Sequence, residues 1–196
     1  MTEISRRRLG RASWIVVAAL ACGGRATAPG KGEVGPSAVR IVPLSETIAL
    51  ETAGPPPPDT SVTFTTGELR TIVLRHGPPE NIVFAELTFP PAAFADSGRA
   101  VQVDISPRPG LYAVDIRISQ PLRERAFLAF KYGRYFLAPA RARVVYGGDI
   151  QFERALAIGQ VLPDNQLGLL PSTRPAYDNL RAAITTGGGY IVSAAQ

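Results

Sequence analysis

The chain has one cysteine, one histidine, one tryptophan and one methionine among 196 residues. A lone cysteine excludes an internal disulfide. One cysteine with one histidine excludes a four-ligand Cys/His zinc site within the chain. No G-x-S-x-G nucleophile elbow occurs, and no D-x-[DN]-x-[DN]-G calcium loop. A phosphate loop closing at Gly30-Lys31 fails, because Arg25 stands where glycine is needed and Gly32 where Ser or Thr is needed. What is present fits one domain. The 18 prolines and 19 glycines make 37 of 196 residues, about a fifth, below the roughly 25–30% of low-complexity chains. Hydrophobic residues reach 45%, enough for a core.

The N-terminus reads as an address. Arg6, Arg7, Arg8 and Arg11 precede a charge-free stretch, Ala12–Ala21 (ASWIVVAALA), and Cys22 follows. A basic start, a short apolar run and small closing residues are the order of a secretory signal. Ten apolar residues are half of the about 20 that a helix needs to span a bilayer core. We therefore expect a signal over 1–21 cut before Cys22. Ala19-Leu20-Ala21-Cys22 resembles the lipobox of bacterial lipoproteins, with Ala19 at the aliphatic place and Leu20 one position late. The same residues also read as a plain A-x-A cleavage site. Both cuts fall at one place and differ in whether lipid is attached; a chain that puts its only cysteine there favours lipid. The resemblance implies acylation of Cys22 and membrane lipid as its partner. Gly23 follows the cysteine where, in the lipoproteins it resembles, Asp retains the protein at the inner membrane; Gly is permissive for the outer one, so the outer membrane or periplasm is the expected location. Ser5-Arg6-Arg7-Arg8-Leu9 faintly resembles a twin-arginine export signal, which leaves the export route open.

Residues 22–35 form an expected tether, with five glycines over 23–35 and little apolar bulk. Pro55–Pro58 read as a stiff polyproline II spacer or loop. From 36 to 196 the period is two. Val101, Val103 and Ile105 alternate with Gln102, Asp104 and Ser106; Tyr112, Val114, Ile116 and Ile118 with Ala113, Asp115, Arg117 and Ser119; Leu180, Ala182 and Ile184 with Arg181, Ala183 and Thr185. Further strands are expected around Phe127–Tyr132 and Ile150–Leu156, and one helical turn at Pro90–Phe94. Half-buried antiparallel strands separated by Gly/Pro clusters point to an all-β, immunoglobulin-like sandwich filling 36–196. Several features also follow one another in order: Val83–Phe89, then Pro90-Pro91-Ala92-Ala93-Phe94, then the strand at Val101–Ser106. Gln120-Pro121, the strand at Ala126–Tyr132, a single β run near Ile150–Leu156 and the closing Tyr190–Ser193 come after. That succession resembles the ZU-five domain over about 80–194. Self-cleavage, known in some members at His-Phe-Ser, is not implied, since Gly187-Gly188-Gly189-Tyr190 stands there.

Candidate chemistry is sparse. His76, in Arg75-His76-Gly77-Pro78, is the one histidine a hydrolase could use as base, and it also reads as a turn residue at a strand end. Asp104 and Asp115 could come close on neighbouring strands as paired carboxylates, or stand solvated. No residue set calls for a cofactor or a metal. Residues 1–21 carry four of the 21 basic residues and one of the 16 acidic ones. The +5 of the whole chain therefore falls to +2 in the remainder, with 17 basic and 15 acidic residues. No base-reading motif accompanies the charge, so nucleic acid is not an expected partner. Arg123 and Arg125 flank Glu124; Arg141 and Arg143 are expected on one strand face, with Tyr132 and Tyr135 near. This set is the expected contact face for an acidic glycan or lipid head group of the envelope. The sequence thus predicts a lipid-anchored, non-catalytic envelope module that acts by binding or by structural contact, with an envelope protein or glycan as its partner. A soluble periplasmic module and a small hydrolase are the alternatives.

Overall fold

The structure is a computed structural model that describes residues 38–196. The signal, Cys22 and the tether expected over 22–35 lie outside the described residues. In chain order the first strands are β1 (Arg40–Pro43), β2 (Thr47–Ala49), β3 (Glu51–Thr52), β4 (Thr60–Thr65) and β5 (Arg70–Arg75). Next come β6 (Val83–Phe89), β7 (Ala100–Pro107), β8 (Ala113–Ile118), β9 (Ala126–Lys131) and β10 (Phe136–Leu137). Two short helices follow, α1 (Ala140–Tyr146) and α2 (Asp149–Ala155). The chain closes with β11 (Ala157–Leu162), β12 (Gln166–Leu169), β13 (Ser172–Thr173), β14 (Asn179–Ile184) and β15 (Gly188–Ala195).

The strands form an antiparallel all-β sandwich. One sheet runs β1-β12-β11-β15-β8-β7-β4, with β2 paired to the far end of β15; the other runs β13-β14-β9-β6-β5, and β3 and β10 make a small ribbon. Period-two patterning decides which side chains enter the core. On β7 Val101, Val103 and Ile105 are buried, while Gln102 and Ser106 are exposed. On β14 Leu180, Ala182 and Ile184 are buried and Arg181 is exposed. Between the sheets lie seven large aromatic rings with almost no exposed surface: Phe84, Phe89, Tyr112, Phe130, Tyr132, Phe152 and Tyr190. Each such ring contributes on the order of 1.5–3 kcal/mol by leaving water. A smaller cluster, including Val42, Leu167, Leu169 and Ile191, sits on the opposite face of the eight-stranded sheet. There β1, β12, β11 and β15 lie side by side.

Two expectations are corrected by the helices. Arg141 and Arg143 lie on α1, not on a strand, and Ile150 and Phe152 lie on α2. Two turns are too short to display a helical period, and helices of this length are marginal on their own. Packing decides their conformation. Ala142 and Phe152 are buried in the main core, and the Tyr146 and Phe152 rings stand 5.6 Å apart across the pair. Gly147, at φ +74°, ends α1 in the left-handed region where glycine avoids a Cβ clash. The turn expected near Pro90–Phe94 forms as a 3₁₀ turn at Pro91–Ala93.

Candidate functional site

The residues expected to share one contact face are dispersed. Tyr132 is 1% exposed. Its hydroxyl accepts a hydrogen bond from Arg174 and donates to Glu153 Oε1 at 3.3 Å, fastening α2 to the loop before β14. Burial pushes the phenol well above its usual range. Tyr135 turns elsewhere: its hydroxyl donates to Glu80 Oε2 at 2.6 Å, beside the fork that Arg134 donates to the same carboxylate at 2.9 and 3.2 Å. The Arg134 fork, helped by Tyr135, holds Glu80 down at about 2. Arg141 donates to the Gln196 side-chain oxygen, and Arg143 pairs with Asp149 at 2.7 Å. Four residues thus have four separate engagements, and Tyr132 is closed to any ligand.

The hydrolytic candidates are occupied too. His76 ends β5 as expected but is 1% exposed. Its Nδ1 donates to the Pro55 carbonyl at 2.8 Å, which fixes that tautomer because a carbonyl only accepts. Phe84, Tyr112 and Tyr135 surround the ring edge-on, with centroids 5.1, 6.1 and 4.7 Å away. Nε2 has no partner among the described residues; no serine hydroxyl or carboxylate addresses it. Asp104 and Asp115 do lie two residues apart on the same face of neighbouring strands, since Asp104 pairs with Arg117 and Ser106 with Asp115. Each is engaged separately. Ser61 donates to Asp104 at 2.6 Å and Arg108 forks onto Asp115 at 2.7 and 2.9 Å, and both carboxyls are held below their usual range by those bonds. They do not share a proton or a site.

An open site lies on the outer face of the five-stranded sheet. Strand β9 buries Ala126, Leu128 and Phe130, so its alternation turns Phe127, Ala129 and Lys131 outward. Phe127 lies between Thr88 of β6 and Ala183 of β14, and Ala129 between Glu86 and Arg181. The ring is therefore flanked by small side chains that leave hollows around it. Three hollows share Phe127. One of about 600 Å³ is lined by Arg123, Glu124, Arg125 and Thr185. One of about 290 Å³ is lined by Arg125, Arg181 and Thr173. One of about 230 Å³ is lined by Arg181, Lys131 and Glu86. The Arg181 guanidinium lies 4.1 Å from the Phe127 centroid, a cation–π contact. Lys131 is neutralised by Glu86 at 2.6 Å. Arg123, Arg125 and Arg181 are exposed and form no ion pair among the described residues. Charge therefore accumulates from the Lys131 end of β9 toward the Arg125 end.

The sequence held part of this. Arg123 and Arg125 were in the expected contact set, and Arg181 was on a polar phase. Phe127 was missed as a surface residue, and the available signal was the heavier alternate phase Leu128, Phe130 and Tyr132. No protein-family model, curated protein or solved structure matches the chain.

Proposed function

We propose that the chain is an exported envelope protein, anchored by lipid on Cys22, whose β-sandwich acts as a non-catalytic binding module. The observation that carries the binding role is Phe127. A large aromatic on the outward face of β9, under an arginine that forms no ion pair among the described residues, holds positive charge at the surface beside two further arginines. Core packing does not require this arrangement. The anchor rests on the order of basic residues, short apolar run and Ala19-Leu20-Ala21-Cys22. The relation to ZU-five domains belongs to the same proposal and rests on the other strand and turn residues of that succession over 80–194, since Ile150 and Phe152 lie on α2. With a tether over 22–35, the module stands off the membrane surface. Two or more acyl chains give a stable hold, whereas a single chain is marginal.

The test is fractionation of an expressing bacterium, with mass spectrometry of the mature N-terminus. We expect the wild type in the membrane fraction, beginning at an acylated Cys22, and Cys22→Ala released to the soluble fraction. An unmodified Cys22 start with soluble protein favours the soluble periplasmic module. An uncut N-terminus refutes both.

A further inference from the structure

We infer that the Phe127 face binds an acidic polysaccharide strand, with sugar carboxylates or phosphates received by Arg181, Arg125 and Arg123. The inference rests on the reading of this sheet face as a binding face and names what it takes.

The argument begins with Arg181. A surface arginine usually samples many rotamers, and ordering it on binding costs affinity. Here the guanidinium is laid over the Phe127 ring at 4.1 Å. The contact restricts the rotamers Arg181 samples, and a planar guanidinium fork matches an oxyanion with two parallel hydrogen bonds. Phe127 is thus a positioning residue for Arg181. Arg125 lines two of the three hollows with Phe127, and Arg123 lines the largest. The single unpaired acid in that lining, Glu124, leaves a positive excess.

The shape argues for a chain-like ligand. The three hollows adjoin one another at Phe127, and their linings extend from Lys131 at one end of β9 to Arg123 beyond the other. A linear ligand can place successive units in them. The capped ring also selects between ligand classes. Single-stranded nucleic acid and neutral sugars both use bare aromatic faces for stacking. Phe127 is the only aromatic lining these hollows, and Arg181 lies over its ring. Recognition here falls to charge-assisted hydrogen bonds.

The test uses the detergent-purified full chain in titration calorimetry. The probes are an oligogalacturonate, its methyl ester, a phosphorylated oligomannoside, oligo-dT, and vesicles containing phosphatidylglycerol. We expect the oligogalacturonate or the phosphorylated oligomannoside to bind, weakening as salt rises, and the neutral ester not to bind. Which of the two binds identifies the charged group. Arg181→Ala and Arg125→Ala should each weaken binding about ten-fold, the value of a charged hydrogen bond. Phe127→Ala should weaken it about as much as Arg181→Ala while adding nothing to the double variant, the signature of acting through Arg181. Arg117→Ala, which removes an exposed cation on β8 of the other sheet, serves as the control. The inference is overturned if the ester binds as well as the acid, if only oligo-dT or vesicles bind, if neither acidic glycan binds, or if the arginine variants bind like wild type. Thermal unfolding of each variant shows whether it is folded; charge-reversing Arg181→Glu and Arg125→Glu repeat the test should an alanine variant not be. Failure here with Cys22 behaving as expected removes this ligand and leaves the anchored module standing.

Discussion

His76 offers the sharpest division between a chemical and a packing role. Replacing it by alanine removes a fully buried ring from contact with Phe84, Tyr112 and Tyr135. Large-to-small changes of this size cost about 3 kcal/mol through lost transfer energy and the cavity left behind. The bond to the Pro55 carbonyl adds about 1 kcal/mol. The carbonyl itself is not orphaned, since the Gly77 amide also approaches it at 3.4 Å. The expected total is about 4 kcal/mol, a fall in Tm of about 10 °C for a domain of this length. His76→Phe keeps the ring, gives up the bond, and removes the Nε2 atom that has no partner. The last two effects oppose each other, so this variant should stay within about 1 kcal/mol of wild type. Differential scanning calorimetry and urea unfolding of both variants check the ordering. A loss below about 1 kcal/mol for His76→Ala, or a His76→Phe less stable than His76→Ala, refutes the packing account.

Tyr132→Phe should lower stability by about 1–2 kcal/mol, because the Arg174 and Glu153 groups lose a buried hydroxyl partner; chemical unfolding measures it. Gly54→Ala should destabilise by about 1–3 kcal/mol, since a Cβ there would stand 2.4 Å from the Tyr135 ring and 2.8 Å from His76 Nδ1. Loss of the Tyr135–Glu80 bond should accompany it, visible as a smaller acid sensitivity. Glu80 itself titrates at about 2 in the folded chain against 4.5 for the free group. The unfolded state therefore binds more protons between those values, and the stability Glu80 contributes is complete above pH 4.5 and drains as pH falls toward 2. Glu80→Gln should flatten the slope of the urea midpoint over that window in part, leaving what Asp104 and Asp115 contribute; an unchanged slope refutes the assignment.

The sandwich was legible because its strands are half-buried, so burial writes itself into the sequence with a period of two. Val101–Ile105 and Leu180–Ile184 carry that signal without interruption. The helices were not legible, for a physical reason. Each two-turn helix buries a single residue, Ala142 on α1 and Phe152 on α2, and one position fixes no period. Ile150, Phe152 and Leu156 even continue a two-residue spacing in part, although Ile150 is exposed at the start of α2 while Phe152 is buried. The expected Tyr132–Arg143 face failed on the same ground. Sequence proximity puts aromatic and basic residues together, but strand phase sends Tyr132 inward and helix packing carries Arg141 and Arg143 to other partners.

Phase also explains why the more coherent site sits one residue from a core position. Phe127 and Leu128 are both large and apolar, and hydropathy does not tell them apart. What separates them is company: Leu128 belongs to the series Ala126, Leu128, Phe130, which continues into Tyr132, whereas Phe127 belongs to Arg125, Phe127, Ala129, Lys131. The first series has four members that can fill a core, and the second places one ring among two cations and an alanine. Burial of the first series forces Phe127 to the surface, where its apolar area is an energetic liability unless something covers it. Arg181, diagonal to it across the β9–β14 pair, supplies that cover at 4.1 Å. The contact contributes about 0.5–1 kcal/mol at an exposed site, and it also holds a guanidinium on that face. Phe127→Ala separates the two contributions: a loss of stability alone in urea unfolding marks a packing contact, whereas a loss of acidic-glycan affinity equal to that of Arg181→Ala marks the contact as one that serves a bound oxyanion.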